Sequence, residues 1–166
     1  MSISIFSRVP DLYWPCKGNA EGFSELNAFD GALLAAGIGD TNLVRMSSIV
    51  PPACKRVDPM KLPYGALIPV AYAGQTSNVP GQWLSASVAC AVPHDPTQAG
   101  LIMEFHATDM RAKDAEEQVR EMAKSGFVTR NRELKELISL SSEHQVIKNG
   151  AAFAAITLWW SDWGKK

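Results

Sequence analysis

The chain has almost no net charge. Its 166 residues carry 16 Lys and Arg against 17 Asp and Glu, a formal balance of −1. The basic residues are scattered, so neither a nucleic-acid groove nor an anionic membrane surface is the expected partner. Cysteine is scarce. Cys16, Cys54 and Cys90 are odd in number and widely spaced, with no CxxC pair. That argues against a disulfide framework or a zinc site and for reduced thiols in the cytoplasm. No apolar run approaches the roughly 18 residues that span a bilayer. Arg8 and Pro10 fall where a secretion signal needs its apolar core. His94, His106 and His144 lack the spacing of helix-borne metal ligands, and no metal is expected. Gly37-Ile38-Gly39 has the spacing of neither a dinucleotide nor a phosphate-loop fingerprint.

What is present is an ordinary globular composition, 46% apolar and 20% charged, at a length that suits one compact domain. Residues 3–9 are rich in β-formers and read as a strand. Pro10, Pro15 and Gly18 then punctuate a loop. Leu26, Phe29, Leu33 and Leu34 recur at helical spacing between Ser24, an N-cap, and Gly37, a stop. Asp30 points off that stripe. Residues 42–49 read as extended, and Pro51 holds Val50 extended. Strand patterns follow at 65–73, 83–92 and 100–107. Residues 109–126 predict a charged amphipathic helix ending at Gly126, and 130–140 a shorter one. Residues 151–160 read as a closing buried strand after the Lys148-Asn149-Gly150 turn. Trp159, Trp160 and Trp163 suit a core or subunit contact. Grouped strands with few intervening helices predict α+β layers with a mostly antiparallel or mixed sheet.

Ser47 and Ser48 end a strand-like run and are cut off by Pro51-Pro52. Most such pairs are turns. This one also has a chemistry open to it. Ser48 Oγ can attack the Ser47 carbonyl through a five-membered ring and turn an amide into an ester. Elimination and hydrolysis then leave a pyruvoyl group at residue 48. Its ketone condenses with an amine and serves as an electron sink, as pyridoxal phosphate does elsewhere. Two prolines after a strand can hold the peptide away from relaxed geometry. Glu104 lies in the otherwise apolar run LIMEF. A carboxyl group there is costly to ionise, which suits a general acid. Alternatively it points outward, with Met103 and Phe105 inward. Asn42 offers a donor and an acceptor, fit for an oxyanion hole or for capping a turn after Gly37, Gly39 and Asp40. Asp30 suits the cationic end of a substrate, or is a solvated helix carboxylate.

The run GIGDTNLVRMSSIVPP resembles the processing-site signature of the pyruvoyl-dependent arginine decarboxylase family. LNAFDGALLAAGIG before it, YGALIPVAYAGQTS after it, AGLIMEFHA further on and the closing AAFAAITLW resemble successive blocks of that family in order. The resemblance covers nearly the whole chain from about Glu21; the first twenty residues match least. It implies a single domain folded as a four-layer αββα sandwich. It implies cleavage between Ser47 and Ser48 into a β chain, 1–47, and an α chain, 48–166. The cofactor implied is a covalent pyruvoyl group from Ser48, without metal or pyridoxal phosphate. Asn42 matches the family's active-site asparagine, Glu104 its proton donor, and Asp30 an acidic residue lining the substrate pocket. The implied reaction turns L-arginine into agmatine and CO2, for polyamine synthesis or acid resistance. The implied assembly is a homotrimer of cleaved protomers with sites at subunit interfaces. Two rivals stand beside it. One is the same chemistry on another amino acid such as histidine. The other is an unprocessed, non-enzymatic oligomeric binding protein.

Overall fold

The structure is a computed structural model and describes residues 8–164. The strand expected at 3–9 lies almost wholly outside them. In chain order the elements are β1 (Leu12–Glu21), α1 (Glu25–Ala35), β2 (Asn42–Arg45), β3 (Ile49–Val50), β4 (Lys55–Arg56), β5 (Leu67–Ser77), β6 (Trp83–Pro93), β7 (Gly100–Thr108), α2 (Ala112–Thr129), β8 (Leu134–Gln145) and β9 (Gly150–Trp159). They build a five-stranded sheet, β2-β5-β9-β1-β4, and a four-stranded sheet, β3-β7-β6-β8. Among the described residues only the short edge pairs β1–β4 and β2–β5 are parallel.

The layers follow from the two-residue alternation of strands. On β9, Phe153 and Ala155 meet α1, while Ala152, Ala154 and Ile156 meet the other sheet. On β6, Val88 and Cys90 face the five-stranded sheet, while Ala89 and Ala91 face α2. The order of layers is α1, five strands, four strands, α2: the expected αββα sandwich. Small residues let the layers approach. A methyl group on Gly18 of β1 would stand 2.0 Å from the Ala32 carbonyl of α1.

Helix α1 starts and stops where the sequence predicts. Ser24 Oγ accepts the Asn27 N–H at 3.3 Å. Gly37, at φ +79°, donates its N–H to the Leu34 carbonyl, and Ile38 donates to that of Leu33. This closes the helix with a Schellman motif. Its buried face differs from the expected stripe. Ala28, Ala32 and Leu33 are buried, whereas Leu26 and Leu34 are 76% and 54% exposed. Close packing on Gly18 selects the alanine face.

Four further expectations are corrected. The loop expected at 10–18 is strand β1. Asp11 and Tyr13 turn their carbonyls to Lys55 and Val57 on the β4 side. Pro15 falls on that same side, beyond the end of the short β4, where no ladder partner misses its absent N–H. The helix expected at 130–140 is strand β8. Leu137 packs under α2 while Ile138 and Leu140 face the other sheet, so a strand covered on both faces imitates a helical pattern. Helix α2 does not stop at Gly126 but continues to Thr129. Gly126 is a point of close approach, where a Cβ would lie 2.3 Å from Leu101 Cδ2 of β7. The extended run 42–49 is broken between Arg45 and Ile49.

Two carboxylates fasten the ends. Glu143 on β8 accepts the Ala112 N–H at the start of α2 and pairs with Arg111 through two bonds, at 2.9 and 2.6 Å. These hold its pKa down to about 2. Glu21 loses water, which raises its pKa. That is outweighed by the N–H groups of Ile147, Lys148 and Asn149 and by His144, which bring it to about 2.

Candidate active site

The break between β2 and β3 is where the chain changes sheets. β2 lies on the edge of the five-stranded sheet, bound to β5; β3 lies on the edge of the four-stranded sheet, bound to β7. Ser47 and Ser48 are in that crossing. Ser48 has φ +68°, a left-handed conformation that costs a residue with a Cβ on the order of 1–2 kcal/mol. The two prolines and the β3 pairing hold it there.

Register then fixes what Ser48 meets. Ile49 faces Leu101 across the ladder, so Ser48 lies opposite Ile102. The Ile102 N–H donates to the Ser48 carbonyl at 2.8 Å. Glu104, two residues on, shares a face with Ile102, which is wholly buried between the sheets. Its side chain reaches diagonally back, and Ser48 Oγ donates to Glu104 Oε1. Met103 and Phe105 pack on the opposite face, against the α2 layer. The outward orientation weighed for Glu104 is therefore not the one adopted. Both faces of β7 are covered, and the carboxyl group points inward at the sandwich margin.

A groove of ≈ 300 Å³ flanks the crossing, with Met46 and Ile49 on either side of the serines and Val44, Leu67 and Trp160 among its walls. The lining is mostly apolar. Among the described residues Arg8 is its one charged side chain, and no carboxylate lines it.

The other two candidates are placed elsewhere. Asn42 opens β2 at the end away from Ser47, about 13 Å off along a four-residue strand. Its Nδ2 donates to the Gly65 carbonyl at 2.9 Å, and the residue is exposed. Asp30 is exposed on α1, on the far side of the five-stranded sheet from β7. It sits one turn from each of the exposed Leu26 and Leu34. Within a single protomer the structure joins Ser48 with Glu104 and leaves Asn42 and Asp30 apart from them. The Ile102 amide escaped the sequence reading. A backbone donor carries no signature, and only the β3–β7 register reveals it.

Cys16 and Cys90 are buried, Cys54 is half-buried, and all are free. Among the described residues no helix is long and apolar enough to cross a membrane.

Comparison with known proteins bears on the same residues. The family model for pyruvoyl-dependent arginine decarboxylase (PvlArgDC) matches residues 13–160. A protein named pyruvoyl-dependent arginine decarboxylase from Methanocaldococcus jannaschii is 48% identical over 155 residues, 93% of each chain. One of the same name from Methanococcus vannielii is 44% identical over 153 residues, 92% of this chain and 93% of its own. Another, from Pyrococcus abyssi, is 41% identical over 142 residues, 84% and 89% of the two chains. With a serine hydroxyl bound to a carboxylate at the sheet crossing and a family match spanning nearly the whole fold, this chain belongs to the pyruvoyl-dependent arginine decarboxylases.

Proposed function

We propose that this chain cleaves itself between Ser47 and Ser48 and then decarboxylates L-arginine to agmatine and CO2. The observation that carries the proposal is the hydrogen bond from Ser48 Oγ to Glu104 at the crossing between sheets. A hydroxyl held by a carboxylate is an activated nucleophile. As Oγ bonds to the Ser47 carbonyl carbon, Glu104 orients the hydroxyl and its proton passes toward the departing nitrogen. The C–N bond then breaks, and the departing amine takes a proton. The left-handed Ser48 is relieved in the same step.

The pyruvoyl group formed at residue 48 supplies an electron sink for the carbon that loses CO2. The chain's own residues do the rest. The Ile102 N–H holds the carbonyl of residue 48 in place. Glu104 Oε1 lies beside residue 48 and returns a proton to the decarboxylated carbon. The apolar groove lies beside them, reaching the crossing at Met46 and Ile49.

The groove has no carboxylate for a guanidinium group. Asp30 supplies one from a neighbouring copy. Both halves of the divided site are ringed by exposed apolar side chains: Leu26 and Leu34 beside Asp30, and Val44, Ile49 and Leu67 around the crossing. Exposed apolar surface of that kind favours an assembly in which the two halves meet. The assembly proposed is a trimer of cleaved αβ protomers in the cytoplasm. There Asn42 and Asp30 reach the Ser48 of the next copy, Asn42 as the oxyanion donor.

Co-expression of Asp30→Ala with Glu104→Gln tests this. Each variant alone is inactive. Random mixing of a composite site restores about a quarter of wild-type activity. No restoration in mixed trimers overturns the shared site. A side-by-side assay of arginine, ornithine, lysine and histidine tests the substrate, with arginine expected to be turned over fastest.

A further inference from the structure

We propose that the cavity behind strand β3, on the other side of the crossing from the groove, is a binding site for a small monocarboxylate. The cavity measures ≈ 150 Å³ and is bounded by Tyr13 of β1, Val50 of β3, Cys54, His94, Gln98 and Lys135. A space of this size holds a benzene-sized molecule.

The chemistry of the walls defines the ligand. Val50 and Val92, with Pro51, Pro93 and Pro96, supply the apolar half of the walls. The polar groups are chiefly donors: the Lys135 ammonium, the His94 ring, the Gln98 amide and the Tyr13 hydroxyl. Among the described residues no Asp or Glu lines the cavity. Asp95 in the same loop turns away, accepting the N–H and hydroxyl of Thr97. Glu136 and Arg56 offset one another near Tyr13, and Asp11 lies near Cys54, but the one charged group in the lining with no carboxylate beside it there is the Lys135 ammonium, which an apolar body with one anionic head matches.

Tyr13 is the second observation. The residue is only 3% exposed, and no hydrogen bond from a described residue acts on its hydroxyl. Among the described residues no enclosed side-chain polar atom lacks a partner, so this hydroxyl opens onto the cavity. The hydroxyl is thus free to donate to an acceptor that enters the cavity. Cys54 is wall rather than nucleophile. Its loss of water and the nearby Asp11 push the thiol up to about 12, so it stays protonated at neutral pH. The site is independent of the decarboxylation reading, although Val50 to Cys54 follow Ser48 directly in the chain and make one of its walls.

Isobutyrate and its neutral isostere isobutyramide are the probes, titrated calorimetrically into the full-length protein as purified. Saturable isobutyrate binding is expected, with Kd on the order of 1 mM for so few atoms. Isobutyramide binds at least tenfold more weakly. Lys135→Gln, at an exposed position, and Tyr13→Phe, which keeps the ring, each weaken isobutyrate about tenfold. Agmatine added in excess leaves the isobutyrate isotherm unchanged. Equal binding of the two probes, indifference to Lys135→Gln, displacement by agmatine, or no saturable heat each overturns the proposal.

Discussion

Gly100→Ala pushes directly on the strand that carries Ser48. Gly100 faces Val50 across the β3–β7 ladder. A Cβ there would lie 2.9 Å from the Ala91 carbonyl and 3.1 Å from Val50 Cβ, where ordinary contact begins at 3.4 Å. The neighbours must give by a few tenths of an ångström on each side. Ala91 belongs to β6, which is paired along its length on both edges, so it does not yield. β3 has two paired residues on an open edge, so it does. Overpacking of this kind costs about 1–3 kcal/mol. The larger effect is on chemistry. A displacement approaching 1 Å at Ser48, which spoils its bonds to Ile102 and Glu104, slows cleavage about 10–100-fold. The assay is the disappearance of intact chain on a denaturing gel after synthesis, with thermal unfolding measured alongside. Val50→Gly in the same chain removes the Cβ that the new methyl meets and recovers part of the rate, a coupling that a double-mutant cycle reads. Wild-type cleavage in folded Gly100→Ala refutes the argument that β3 register sets the reaction geometry.

Other outcomes follow from the same contacts. Glu104→Gln keeps an oxygen that accepts the Ser48 hydroxyl but has no proton to return, so the chain still cleaves while turnover falls at least about 100-fold; normal kcat assigns the proton to another group. Ser48→Ala leaves the chain whole, as seen by mass. Stability depends on acid through Glu21 and Glu143, both held at about 2 in the folded state. Depressed carboxylates stabilise the fold above their unfolded pKa, near 4.5, and lose that contribution as pH falls toward 2. Both are partly exposed, so each contributes on the order of 1 kcal/mol after solvent screening. Urea unfolding between pH 6 and pH 2 checks this, and Glu143→Gln flattens the slope.

The central elements were legible because burial leaves a mark on composition. Strands β5, β6, β7 and β9, and helix α1 with its Ser24 cap and Gly37 stop, follow from apolar runs and turn residues. The misreadings share a cause. Periodicity assumes one wet face. Over residues 137–142 β8 has none, because Leu137 packs under a helix while Ile138 packs between sheets, so its apolar residues crowd together as they do on a helix. Pro15 suggested a loop because sequence does not show that β4 is too short to reach it. The site was legible as residues and not as an arrangement. Ser48 and Glu104 are 56 positions apart, and their meeting depends on register. The separation of Asn42 and Asp30 from them depends on which sheet each element joins. The break at residues 46–48 was hidden because both half-strands are extended.

Mass spectrometry of the denatured purified protein tests the central claim most directly. Cleavage between Ser47 and Ser48 predicts a small fragment of about 5.1 kDa (18.0 × 47/166) and a large one carrying the rest of the 18.0 kDa chain. The large fragment is lighter than a serine-ended one by one ammonia, about 17 Da, because its first residue is a pyruvoyl group. A single 18.0 kDa species in protein that releases CO2 from arginine, or a large fragment beginning with unmodified serine, contradicts the account.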